Sequence, residues 1–85
     1  MPNPRQPSKP IRSLLKRAVG LPGPDERARL RLAANLTQAE VAEAVGVNRV
    51  QVARWETGQA EPRQPHRRMY AQLLHGLAGR FPQGA

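Results

Sequence analysis

Thr37-Gln-Ala-Glu40 and Asn48-Arg-Val-Gln51 write one signal twice, eleven residues apart. In each, a side chain that can cap a helix N-terminus precedes by three residues one that can reach back to it. Gly46 lies between them and suits a left-handed helix stop, and Gly58 closes the second stretch after Thr57. Two short helices and a tight turn fit this spacing. A small residue is needed where two such helices cross, and Ala42 is there. Four residues later the chain must turn, which suits Gly46. Val41, Val45, Val47, Val52 and Trp55 fall where apolar groups must close the inside angle. The pattern predicts helices at about 38–45 and 49–57.

A further helix is expected on each side. In PDERARLRLAAN, Pro24 suits a first helical position, and Asp25 and Glu26 sit where the helix dipole favours anions. Ala28, Leu30, Leu32, Ala33 and Ala34 supply its apolar surface, and Asn35 can adopt the conformation that ends it. Pro65 can start a last helix with Met69, Tyr70, Leu73, Leu74 and Leu77 as its apolar side, and Gly76, Gly79 and Pro82 end the fold. No strand pattern and no internal repeat is present, so the expected class is all-α. The domain is placed at 23–79, with a flexible tail at 80–85. MPNPRQPSKP holds four prolines in ten residues and little that can be buried, so it reads as a disordered basic arm. Ile11, Leu14, Leu15, Ala18 and Val19 then form a short amphipathic segment, 11–19, within an arm spanning 1–22.

Eighty-five residues allow one small domain with a modest core. The formal net charge of +8 points to a polyanionic partner, and its distribution sharpens the point. Arg5, Lys9, Arg12, Lys16 and Arg17 stand in the arm without an acid; Arg63, Arg67, Arg68 and Arg80 follow residue 61, also without one. Between them five arginines meet six acids, so the centre is nearly neutral. The absence of cysteine excludes disulfides, thiolate metal sites and cysteine nucleophiles, and fits a reducing cytoplasm. No apolar run approaches the roughly 18–20 residues that span a bilayer, and the basic N-terminus lacks the apolar region of a secretory signal.

The segment LRLAANLTQAEVAEAVGVNRVQVARWETGQAEP resembles the Cro and phage-repressor type of helix-turn-helix, often called XRE. The likeness covers residues 25 to 77, and its most specific words are LTQAEVAEAVGV and WETG. The resemblance implies a compact bundle of four to five helices that binds double-stranded DNA, usually as a homodimer on a palindromic site. It implies a sequence-specific transcriptional regulator, with repression the expected sign. The departure is at the end, where no fifth helix or dimerisation domain is evident.

The helix at 49–57 would be the recognition helix, which presents its N-terminal residues to base edges in the major groove. At about 100° per residue, Val52 and Trp55 define its inner side. Val50, Ala53, Arg54 and Thr57 lie opposite, with Arg49 on the flank. Arg49 and Arg54 can each make the paired hydrogen bonds that select guanine, and Val50 can touch a thymine methyl. By resemblance, Gln38 matches the family glutamine that spans phosphate and base. Thr37 and Asn48 cap helix N-termini, which favour phosphate. By resemblance, Gln51, Gln59 and Arg63 match phosphate-contact positions, which set register without specifying sequence. Glu56 lies near the inner edge of this helix, and Arg31 matches the family's first-helix arginine. The two are expected to form a partly buried ion pair.

No catalytic site, metal site or cofactor site is expected. His66 and His75 lie nine residues apart without a neighbouring acid, Glu40 and Glu43 lack a pocket, Ser8 and Ser13 have no base partner, and there is no glycine-rich phosphate loop. Two rival readings stay open. The fold could serve as an antitoxin or bridging module, with a toxin or the transcription machinery as protein partner; the segment Ile11–Val19 and the last helix would then make contact. A non-specific basic nucleic-acid binder is disfavoured by the neutral centre. A membrane contact is not expected.

Overall fold

The structure, a computed structural model, describes residues 20–82. The amphipathic segment 11–19, nearly all of the basic arm, and residues 83–85 of the tail lie outside the described residues. Within them the chain forms four helices and no strand: α1 (Pro24–Ala33), α2 (Gln38–Val45), α3 (Arg49–Thr57) and α4 (His66–Arg80).

Local chemistry sets each boundary. Pro24 opens α1 with Asp25 and Glu26 in its first turn, and Asn35 follows the helix at φ 61°. Thr37 and Glu40 form a complete capping box on α2: the threonine hydroxyl accepts from the Glu40 amide at 3.0 Å, and the Glu40 carboxylate accepts from the Thr37 amide at 2.8 Å. Gly46 ends α2 at φ 90°, a backbone region costly to residues with a Cβ. Asn48 caps α3 through the forward bond alone, its side-chain oxygen accepting from the Gln51 amide at 3.0 Å.

α3 packs on α1 and α2, and α4 closes the bundle against the same two helices. Leu30, Val41, Ala42, Val45, Val52, Trp55, Tyr70, Leu74 and Leu77 form the core. Ala42, at the crossing of α2 and α3, is buried, and Val47 in the turn packs on the cluster. The rings of Trp55 and Tyr70 meet at 4.8 Å between centroids, tilted by 40°. Tilted aromatic pairs contribute about 0.5–1.5 kcal/mol beyond their buried area.

Three details depart from the periodicity. Leu32, expected on the apolar side of α1, is 63% exposed. It lies about 200° around the helix from buried Leu30, and the inward face is shared by Arg27, only 3% exposed. Met69 is exposed because Tyr70, Leu74 and Leu77 centre the buried face of α4 and leave it at the rim. The glycines expected to end the fold instead lie inside α4, which continues through Gly76 and Gly79 to Arg80. Each interior glycine costs about 1 kcal/mol relative to alanine. Tertiary contacts hold the last turn nonetheless: Phe81 packs on the core and Arg29 donates to its carbonyl at 2.8 Å.

The Tyr70 hydroxyl is buried with no hydrogen-bond partner among the described residues. Burial pushes its pKa from 10.0 up to about 12, with the nearby Glu56 charge adding to the rise. The raised value means that folding stability is complete below the unfolded value of 10 and is lost as pH climbs through about 12. Tyr70→Phe removes an unsatisfied buried group, so it should stabilise the fold by about 1 kcal/mol at neutral pH. It should also flatten the alkaline loss. Denaturant unfolding at pH 7 and pH 11 measures both.

Candidate nucleic-acid interface

The two sides of α3 differ sharply. Val52 and Trp55 are buried, and the opposite side presents Val50 at 49% exposure with Arg54 and Thr57, while Arg49 is exposed at its start. The Thr57 hydroxyl bonds back to the Arg54 main-chain carbonyl at 3.2 Å, and Arg54 is exposed. Val50 takes no part in the core.

Below this surface runs a chain of four polar side chains. Arg31 Nε and Nη2 donate to the two oxygens of Glu56 at 2.6 and 2.9 Å. Glu56 Oε1 also accepts from Gln38 Nε2 at 3.1 Å, and Gln38 Oε1 accepts from Arg49 Nη1 at 3.2 Å. The series climbs from nearly buried Glu56 to exposed Arg49. The hydrogen bond to Glu56 holds the Arg31 guanidinium pKa above its ordinary value. Arg31 Nη1 donates in addition to the Leu36 carbonyl at 2.9 Å, tying down the approach to α2.

The expected phosphate contacts are spread along the same side of the sequence. Thr37 and Asn48 stand at the N-termini of α2 and α3, both exposed. The Thr37 amide is already taken by Glu40, so its hydroxyl proton is the donor left to it. Gln51, Gln59 and Arg63 are exposed on α3 and in the loop that follows it. Gln38 and Arg49 meet directly; the other expected contacts are distributed along α2, α3 and the following loop.

Sequence reasoning missed Arg27 and Glu61. Arg27 donates to Glu61 through Nη1 and Nη2 at 3.0 and 2.8 Å, to the Trp55 carbonyl at 2.9 Å and to the Pro22 carbonyl at 2.8 Å. It therefore grips the last turn of α3 and the loop beyond. The bond from Arg27 holds the Glu61 carboxyl below the ordinary carboxylate range. The available signal was weak: Arg27 and Arg31 lie four residues apart and share a helix face with Leu30.

A capped pair of short helices crossing at a buried alanine, with the outer side of the second left open, defines a helix-turn-helix module. A family model described as helix-turn-helix matches residues 28–74, more than half of the chain. The chain belongs to this family, the Cro/C1-type helix-turn-helix, whose domain is a DNA-binding regulatory one. No match was found among curated proteins or among solved structures. Among the described residues, no helix is long and apolar enough to cross a membrane.

Glu56→Ala would leave the partly buried Arg31 guanidinium without its carboxylate. Breaking such a pair from one side costs about 3–5 kcal/mol. Urea denaturation should show a loss of that size, and an unchanged midpoint would deny the pair its structural role.

Proposed function

We propose that the chain is a sequence-specific regulator of duplex DNA that reads the major groove with α3 and represses by occupying its site. The observation that carries this reading is the open side of α3, where Val50 stands exposed in company with Arg49 and Arg54. Arginine offers paired donors to guanine O6 and N7, and a valine methyl suits the thymine C5-methyl. Thr37, Asn48, Gln51, Gln59 and Arg63 would hold phosphates and fix register. The basic residues from Arg5 to Arg17 would add phosphate or minor-groove contacts, as N-terminal segments do in other helix-turn-helix modules. A homodimer would place two copies of α3 about one helical turn apart on a palindrome.

A second reading, a protein-interaction module such as an antitoxin, draws support from exposed Met69 beside half-buried Leu73 on α4. Selection of bound duplexes from a random-sequence library separates the two. Enrichment of one motif supports the regulator; no enrichment, with a second chain copurifying in fixed proportion, favours the module.

On the selected site, Arg54→Ala should cost roughly 1–3 kcal/mol and relax one base position. Equal losses on unrelated DNA would make Arg54 a phosphate contact instead. Val50→Ser should erase the preference for thymine over cytosine at one position. Binding titrations at fixed salt measure both effects.

A further inference from the structure

We propose that Glu61, gripped by the buried Arg27, is a positioning residue: it holds the loop after α3 so that Arg63 meets a phosphate, against the repulsion of its own charge. The inference rests on the regulator reading given above and deepens it.

The loop between α3 and α4 is unevenly held. Near its start the amides of Gln59 and Ala60 both donate to the Arg54 carbonyl, at 3.0 and 3.4 Å. Near its end the Arg63 carbonyl accepts from the Arg67 amide at 2.9 Å. Among the described residues, neither the Glu61 nor the Arg63 amide donates a hydrogen bond, and Pro62 has no amide hydrogen to give. The burial of Pro62 and the carboxylate of Glu61 are left to fix this stretch, and only the carboxylate has direction. Both of its oxygens accept from Arg27, at 3.0 and 2.8 Å. Arg27 is in turn fixed to the Trp55 carbonyl in the last turn of α3. The loop is therefore set against α3 through a side chain of α1.

By charge alone, a carboxylate is the wrong group here. The Glu61 side chain is 56% exposed and lies two residues from both Gln59 and Arg63, the phosphate contacts expected of this loop. Its charge opposes a polyanion, so on electrostatics alone the chain would bind DNA better without it. The hydrogen bonds from Arg27 act the other way. They order the loop before DNA arrives, and a contact already ordered loses less freedom on binding. The two effects have opposite signs, so the sign of a substitution's effect tells them apart.

Glu61→Ala and Glu61→Gln in the full chain provide the test. Both remove the charge and leave Arg27 without its counter-ion, so both destabilise the fold; only glutamine keeps an acceptor for Arg27. Measurements are made where unfolding curves show both variants folded. Without DNA, the Arg63 backbone amide should relax by NMR like those of α3 in the parent chain and in Glu61→Gln, and become more mobile in Glu61→Ala. Equal rigidity in Glu61→Ala overturns the inference and leaves the regulator reading standing. With the duplex selected from a random library, Glu61→Ala should weaken binding about threefold and reduce the salt slope by about 1. Glu61→Gln should bind at least as tightly as the parent chain. In an Arg63→Ala background, Glu61→Ala should weaken binding no further. Tighter binding by both variants makes Glu61 act through charge alone and overturns the inference. An equal loss in both, or an undiminished loss in the Arg63→Ala background, overturns it too. Should Arg63→Ala change neither affinity nor salt slope, the assignment of Arg63 in the regulator reading fails, and the positioning role falls with it.

Discussion

Arg27 and Arg31 lie on the inward side of α1, and the rest of the domain is arranged around them. Arg27 reaches the Trp55 carbonyl and Glu61; Arg31 reaches Glu56 and the Leu36 carbonyl. Burying an isolated charge is expensive, so each guanidinium requires its carboxylate in place. The apolar core is small, and hydrophobic contact has no direction. Hydrogen bonds between charged groups do have direction, and these set the height and rotation of α3 against α1.

The same arrangement explains what was legible in the sequence. Capping residues, helix-ending glycines and Asn35 are local signals, because each acts on the backbone within a turn of itself. The outward direction of Val50 needed only the helical period. Trp55 and Glu61, the distant partners of Arg27, lie 28 and 34 residues away, and no local rule separates an inward arginine from a solvated one. Gln38 illustrates the same limit in the site. Its position at the start of α2 is a matter of spacing, whereas the direction of its amide depends on Glu56, eighteen residues on. The length of α4 was hidden for a related reason. Gly76 and Gly79 argue locally for an ending, and the docking of Phe81 and Arg29 outweighs them.

The open side of α3 and its buried side divide the labour within nine residues. Val52, Trp55 and Glu56 hold the helix in the bundle; Val50 and Arg54 leave the bundle indifferent to their identity. Arg49 belongs to both, since it meets solvent and is also bonded to Gln38.

The burial of the Arg31–Glu56 pair also separates two responses to ionic strength. The Debye length is about 8 Å at physiological salt, and exposed charges are screened over that range, whereas buried pairs are screened far less. In the Arg31–Glu56 pair the side chains keep 14% and 6% of their exposure, at a separation of 2.6 Å. A chain of net charge +8 must loosen its hold on any polyanion as salt rises. The Arg31–Glu56 pair is screened far less than such exposed charges. Added salt therefore weakens attraction to a polyanion more than it weakens the Arg31–Glu56 pair.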